Sequence, residues 1–337
     1  MSYILPEARR RAIFVSALFS ACLLFVSGCR PTELHHVEDH KEISQDVLQD
    51  AQRRQFALVS INANWIRLGN LTSSQDPWTI LHRFKGKEFL KASVGPSGRL
   101  FVGSTHERIA VMRFDGTEEW TAMIPSGAFT ITSIALSHDE KKVAFQARTS
   151  DADSPLELYV VGIQTQRPTK ILEVKYRASG KQEERDNPQS LGWSPDGEEV
   201  ALGDGENVWI CRIRDKNLRV LGPGTDPTWS PDGTWIAYRT TEGVAKLNRI
   251  SATKTMLPGR RILGPLRWSP DSDFVVCEVD YYALNMRTAA GGGATSRMAI
   301  VRVRDGSEYF VPSAIKRADG IDIGWARIDA LGGDKAQ

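Results

Sequence analysis

Short runs in which apolar and polar positions alternate recur along most of the chain, and each run ends at a tight turn. Runs such as EVALG at Glu199 and WIAYR at Trp235 place apolar side chains on one face of a strand. Both follow a Ser-Pro-Asp-Gly turn, in which proline presets φ, aspartate bonds the local backbone and glycine accepts positive φ. The pattern therefore predicts hairpins of two antiparallel strands, and helical periodicity is weak throughout this region.

The hairpin motif occurs five times along the chain, at intervals near 40 residues. The residues in the proline place are Pro96, His138, Pro195, Pro231 and Pro270, at intervals of 42, 57, 36 and 39 residues. Two further strand candidates follow each hairpin, as NVWICRI and LRVLG follow the third copy. Four antiparallel strands in ~40 residues are typical of a β-propeller blade, so the sequence predicts an all-β propeller.

The two ends of the repeat region complete the blade count. Three strand candidates, QFALVSI, NWIRLG and PWTILHRF, precede the first hairpin without an inner strand of their own. IDIGWARI at Ile321 carries the Gly-Trp pair of LGW at Leu191, and no second strand follows it. Pairing this strand with the N-terminal three closes the ring and leaves no open sheet edge. We predict six blades over residues 55–330, with a degenerate seventh as the alternative, and a flexible tail at 331–337.

The WSPDG hairpins resemble those of TolB-type six-bladed propellers and of the propellers attached to prolyl-oligopeptidase-like hydrolases. The resemblance covers roughly residues 55–327, with departures at GPSG (Gly95), SHDE (Ser137) and SPDS (Ser269). TolB proteins also carry a small α/β domain ahead of the propeller, where this chain has only a short polar stretch. The resemblance implies a propeller that serves as a protein-binding scaffold.

The first 28 residues have the layout of an export signal. Arg9, Arg10 and Arg11 precede an apolar segment at 12–26, and small residues then lead to Cys29. An apolar segment of this length is short for a spanning helix, although an uncleaved membrane anchor is the alternative. VSGC resembles the lipobox of bacterial lipoproteins, which implies that Cys29 is acylated and becomes the first residue of the mature chain.

The lipobox resemblance also implies a location. Arg30 follows the cysteine where an inner-membrane retention signal often has aspartate. We therefore expect an exported protein that its N-terminal lipid anchors to a bacterial membrane. In a Gram-negative organism this is the outer membrane, with the protein facing the periplasm.

The mature chain is electrically neutral. Removal of residues 1–28 takes Arg9, Arg10, Arg11 and Glu7, and leaves 40 basic and 40 acidic residues out of 43 and 41. A neutral body without a basic run among aromatics argues against nucleic acid as a partner.

Two cysteines remain for the folded body, Cys211 and Cys277. They fall on the fourth and sixth blades, which are not neighbours, and a disulfide needs Cα atoms within roughly 7 Å. We expect two buried thiols without a disulfide, and no zinc site.

The stretch 29–54 is polar and is assigned as a tether between lipid and propeller. It includes a short amphipathic helix through Ile43, Val47 and Leu48. His36 and His40, next to His35, have the spacing of two metal ligands on one helix face. We adopt the interpretation of a solvated spacer, and predict no metal and no cofactor.

No catalytic motif is present in the sequence. It contains no Gly-x-Ser-x-Gly, HExxH or P-loop, and no GxGxxG followed by a helix. We therefore predict a protein that is not an enzyme. The alternative is a metal-dependent propeller enzyme that acts on a small molecule or glycan at the channel mouth.

The longest irregular segments share one face of the predicted ring. In a propeller, connections from the second to the third strand and from the fourth strand to the next blade emerge on one face, which we name the loop face. The inner hairpins emerge on the opposite, hairpin face. Segments 148–155, 177–190 and 281–296 all belong to the loop face.

Loops on a rigid scaffold carry function, so the loop face is the predicted surface for a protein partner, unless these segments are merely tolerated insertions. The candidate binding residues are Arg148, Asp151, Asp153, Arg185, Tyr281, Tyr282 and Arg287.

Overall fold

A computed structural model describes the chain in nine ranges, residues 45–69, 78–85, 89–124, 129–149, 155–174, 191–257, 266–280, 296–311 and 322–331. These ranges contain one α-helix, α1 (Gln45–Arg53), and a 3-10 turn at Ile328–Ala330. Their 24 strands form six four-stranded antiparallel sheets, each a propeller blade. The predicted all-β, six-bladed propeller is confirmed.

The blades are numbered from the one that contains the first strand. Blade 1 has β1 (Phe56–Ile61), β2 (Trp65–Gly69) and β3 (Trp78–Arg83), and takes its inner strand, β24 (Asp322–Arg327), from the C-terminal part. Blade 2 has β4 (Lys91–Val94), β5 (Leu100–Ser104), β6 (Arg108–Arg113) and β7 (Glu118–Met123). Blade 3 has β8 (Phe129–Leu136), β9 (Lys142–Thr149), β10 (Leu156–Gly162) and β11 (Thr169–Val174).

The other three blades follow the same order from the axis outward. Blade 4 has β12 (Gly192–Trp193), β13 (Glu199–Gly203), β14 (Asn207–Arg212) and β15 (Asn217–Pro223). Blade 5 has β16 (Thr225–Trp229), β17 (Trp235–Thr240), β18 (Gly243–Asn248) and β19 (Lys254–Leu257). Blade 6 has β20 (Arg267–Trp268), β21 (Phe274–Asp280), β22 (Ser296–Arg302) and β23 (Glu308–Phe310).

The ring closes through blade 1, as the sequence predicts. β24 pairs with β1 in an antiparallel register that runs from Phe56 opposite Arg327 to Ile61 opposite Asp322. β24 also packs against the inner strands β4 and β20 of the two neighbouring blades. The inner strands approach closely, since a Cβ atom on Gly324 would lie 2.6 Å from the Cβ atom of Val94.

The core consists of six apolar clusters, one between each pair of neighbouring blades. Between blades 2 and 3, for example, Val102 and Val111 pack with Ile134 and Phe145. Each strand contributes alternate side chains because successive Cβ atoms point to opposite faces of a sheet. Stability is therefore distributed around the ring.

Helix α1 packs over the junction of blades 6 and 1. Val47, Leu48 and Ala51 are buried in one cluster with Leu58 of blade 1 and Phe274 of blade 6. The predicted amphipathic helix through Val47 and Leu48 is therefore present.

This packing corrects the tether boundary that we placed at residue 54. The apolar side of α1 is buried, so residues 45–54 belong to the propeller. Leu331, which we assigned to the tail, is buried against blades 1 and 2. The predicted signal peptide and the remainder of the tether lie outside the described residues.

Within the described ranges, no helix is long and apolar enough to cross a membrane. Cys211 and Cys277 are buried and form no disulfide, as predicted. They lie on β14 of blade 4 and β21 of blade 6.

Candidate functional site

A buried ion pair joins the inner strands of three blades at the central channel. The Arg267 guanidinium donates to Asp322 at 2.8 Å, and the same carboxylate accepts the Val94 N–H at 3.0 Å. These residues belong to the inner strands of blades 6, 1 and 2. Burial raises the pKa of Asp322, although the Arg267 charge opposes this. The contact holds the closing strand to both neighbours.

A second ion pair lies in blade 5, next to the first along the ring. Arg239 contacts the Asp226 carboxylate at 2.8 Å, with side-chain exposures of 17% and 3%. Arg239 Nε also donates to Thr225 Oγ1 at 3.1 Å. Asp226 has φ +54°, in the left-handed region, and the pairing of β16 with β17 is irregular between Thr225 and Thr228. In this backbone conformation, the Asp226 carboxylate lies against the guanidinium of Arg239.

Gln146 connects blades 3 and 4 by hydrogen bonds in the interior. It is fully buried, accepts from Ser133 Oγ at 2.8 Å and donates to the Gly203 carbonyl at 3.2 Å. In this contact and in the two ion pairs, polar groups of the inner and second strands are paired with each other.

A cavity of about 60 Å³ lies on the axis toward the hairpin turns. Inner-strand residues of all six blades line it, among them Trp193, Trp229, Trp268 and Trp325. Sites for whole small molecules usually measure ~300–1,000 Å³. The cavity therefore has room for an end group of a few atoms.

His138 lines this cavity in the place that proline occupies in the four other turns. Burial lowers the pKa of His138 to about 4, although the charges of Asp139 and Asp196 act in the opposite direction. The imidazole is therefore neutral at pH 7.

The thiols of Cys211 and Cys277 are protonated in the folded state and are therefore not nucleophilic. Burial raises the pKa of the Cys211 thiol to about 11, and raises that of Cys277 as well. A thiol is nucleophilic only when it is deprotonated. Across the nine described ranges, no three His, Cys, Asp or Glu side chains lie close enough to share a metal ion.

Of the predicted binding residues, only Arg148 is described. It lies near the end of β9, opposite Thr130, and is half-buried. Asp151, Asp153, Arg185, Tyr281, Tyr282 and Arg287 lie outside the described residues, as does Cys29.

The strands that flank the three long connections end on the loop face. Residues 150–155 connect β9 to β10, residues 175–191 connect β11 to β12, and residues 281–295 connect β21 to β22. The connections themselves lie almost entirely outside the described residues. Their role in binding stays a prediction.

Sequence reasoning missed the two ion pairs. A signal was present, because Asp226 and Asp322 both lie three residues before the inner-strand tryptophans Trp229 and Trp325. Their arginine partners come from different places in the repeat, one in the same blade and one in the preceding blade. Only the folded ring identifies the pairs.

No protein-family model matches the chain, and neither does any curated protein. Solved structures do match it. TolB from Acinetobacter baumannii is 16% identical with a TM-score of 0.53, over 80% of this chain and 66% of that one. A structure assigned as TolB from Agrobacterium tumefaciens is 15% identical with a TM-score of 0.52, over 76% of this chain and 88% of that one.

The fold is the TolB-type six-bladed propeller. A structure with another activity matches it as well. Oligogalacturonate lyase from Vibrio parahaemolyticus is 12% identical with a TM-score of 0.50, over 75% of this chain and 78% of that one. At these identities the likeness establishes the fold alone.

Proposed function

We propose that this chain is a non-enzymatic envelope lipoprotein whose TolB-type propeller binds a protein partner through its loop face. Lipid at Cys29 would anchor it to the outer membrane, facing the periplasm. The observation that carries the proposal is a closed ring with a cavity of only about 60 Å³ on its axis. In such a scaffold, a protein partner binds to the connections on the surface of the ring.

The fold and the loop distribution support this function. The resemblance of the repeats to TolB-type propellers implies a protein-binding scaffold, and two TolB structures share the fold of this chain. The strands that flank the three long connections end on one face, whereas each of the five hairpin turns contains five residues between strands. A surface loses conformational entropy when binding orders it. This loss is smaller when the binding loops are attached to a rigid ring.

The anchor is tested by growth of cells that express the full chain with radiolabelled palmitate. The unchanged chain should incorporate the label, and Cys29→Ala should not, because the thiol that carries the lipid is gone. Cys277→Ala is the control and should be labelled as the unchanged chain is. Equal labelling of the Cys29→Ala protein would refute the lipid anchor.

The partner surface is tested by photo-crosslinking in intact cells. A photoreactive residue is placed at His106, Glu206 or Glu242, which are exposed in second-to-third-strand connections on the loop face. Matched positions on the hairpin face are Arg99, Ile250 and Arg304, which are also exposed. We expect one abundant crosslinked protein from loop-face positions only. Crosslinks from the hairpin face alone would contradict the proposed surface.

The likeness to oligogalacturonate lyase supports a second candidate function, an enzyme acting on a glycan. The full chain would be incubated with oligogalacturonate, with and without added manganese, and unsaturated products followed by ultraviolet absorbance. Turnover abolished by a chelator would favour the enzyme. Absence of turnover, together with a loop-face crosslink, would favour the scaffold.

A further inference from the structure

Tryptophans at the ends of the inner strands follow a repeated hydrogen-bonding pattern. The indole N–H of Trp193 donates to the Ala135 carbonyl at 3.2 Å, in the inner strand of the preceding blade. Trp268 donates to Thr228 at 3.4 Å, and Trp325 donates to Arg267 at 3.1 Å. In each case the acceptor comes one residue before the position of the repeated tryptophan. The pattern predicts that Trp229 donates to the carbonyl of Gly192.

Trp229 departs from this pattern. Trp229 is only 3% exposed. Its indole nitrogen is buried and has no hydrogen-bond partner among the described residues. The strand that carries it is the one with the irregular pairing after Thr225. A buried indole N–H almost always has an acceptor, because an unpaired donor costs about 1–3 kcal/mol.

His138 is the second unpaired polar group beside the same cavity. Both imidazole nitrogens are buried, and neither has a partner among the described protein groups. His138 and Trp229 both line the cavity of about 60 Å³. A neutral imidazole offers one donor and one acceptor, and an indole offers one donor. Two residues of the cavity lining thus have buried nitrogens without a protein partner among the described residues.

We propose that this cavity binds a small neutral end group that both donates and accepts hydrogen bonds, the hydroxyl or carboxamide end of a ligand. Such a group accepts from the indole of Trp229 and exchanges hydrogen bonds with His138. Arg267 also lines the cavity, but its charge is paired with Asp322 at 2.8 Å, and the carboxylates of Asp139 and Asp196 lie near His138. A neutral group therefore fits better than an anion. The volume fits an end group, and the rest of the ligand extends past Pro96 and Pro231 to the hairpin face. This site lies at the opposite end of the axis from the proposed partner surface and does not rest on that proposal.

The experiment is fluorine NMR on the full chain in detergent, with every tryptophan replaced by 5-fluorotryptophan. Acetamide and ethylene glycol are the neutral probes, and acetate and methylammonium are charged probes of similar size. Trp229→Phe identifies the resonance of Trp229. Trp209→Phe is the control, since that residue does not line the cavity and its N–H is already bonded to Asp204 at 2.7 Å.

We expect a neutral probe to shift the Trp229 resonance saturably, with several-fold weaker apparent affinity in His138→Pro. That variant keeps the turn, because proline occupies the same place in the turns at Pro195 and Pro231. The Trp209→Phe protein should bind the probe as the unchanged chain does. Absence of a saturable shift would mean that the cavity holds only solvent and would overturn the proposal. A saturable shift by acetate alone, or an equal shift of all tryptophans, would overturn it too.

Discussion

At the residue scale, the last residue of each four-residue turn has a left-handed backbone conformation. Gly98, Glu140, Gly197, Gly233 and Ser272 occupy this place, and all have φ between +60° and +73°. The turn keeps its left-handed residue even where the sequence has no glycine. At Ser272 a hydrogen bond compensates, because Ser272 Oγ accepts the N–H of Asp232 from the neighbouring turn at 3.0 Å.

Gly197→Ala isolates the cost of this backbone conformation. A Cβ atom at Gly197 would meet only Lys142 Nζ, at 3.8 Å, so no clash adds to the strain. We expect a loss of about 1–2 kcal/mol in the free energy of unfolding, measured with denaturant. Gly162→Ala is the matched control, since it also has space and no positive φ. Equal losses at both positions would contradict this explanation.

His138 makes stability depend on pH. Burial lowers its pKa to about 4 in the folded state, while an unfolded histidine has a pKa near 6.5. Between these values the unfolded chain binds a proton that the folded chain does not, so stability falls as the pH falls from 6.5 to 4. The contribution is on the order of 2–3 kcal/mol.

His138→Pro removes this group and restores the residue found in the other turns. We expect the free energy of unfolding to lose less between pH 7 and pH 4.5 in the variant than in the unchanged chain. At pH 7 the variant should be equally or more stable, because proline restricts the unfolded chain. Identical pH profiles of the two proteins would show that His138 is not the titrating group.

At the element scale, inner strands are held to one another by few but buried polar contacts. β12 and β20 contain only two residues each, so backbone pairing alone supplies little to them. The Arg267–Asp322 contact and the tryptophan donors connect such strands across blades. The docked helix α1 adds to this at the closing junction, where Arg302 donates to Asp46 at 2.7 Å and Arg54 donates to Asp271 at 2.6 Å.

Asp322→Ala tests the contact at the closing strand. It leaves Arg267 buried without its carboxylate and the Val94 N–H without its acceptor, so we expect a loss of about 3–5 kcal/mol. Glu119→Ala is the control, because its partner Arg113 is 58% exposed and such surface pairs contribute about 0–1 kcal/mol. Urea unfolding of both variants gives the comparison. Similar losses would show that the buried pair has no special role in closing the ring.

At the scale of the whole molecule, the ring has no free inner edge, and six apolar clusters connect each blade to the next. Opening one interface therefore exposes apolar surface on two blades. The two thiols report on this closure, since Cys211 and Cys277 are 0% and 2% exposed in blades 4 and 6.

We expect neither thiol to react with a soluble disulfide reagent in the folded protein, because both are buried and their pKa values are raised. Both should react together across the denaturant transition that tryptophan fluorescence reports. The double variant Cys22→Ala, Cys29→Ala provides the chain in which these two thiols are the only ones. Reaction of one thiol well before the other would show that the blades open separately.

The sequence by itself determined the repeat, the six blades and the shared closing blade. These follow from local chemistry, since turn residues and the alternation of apolar side chains act over a few residues. It also indicated the helix through Val47 and Leu48, but not that α1 would be buried against two blades.

Only the tertiary structure decided which polar side chains meet on the axis. Asp322 and Arg267 are 55 residues apart, and Trp229 and His138 share one cavity although they belong to blades 5 and 3. No local pattern encodes such distances, because they depend on how the twisted blades close around the axis.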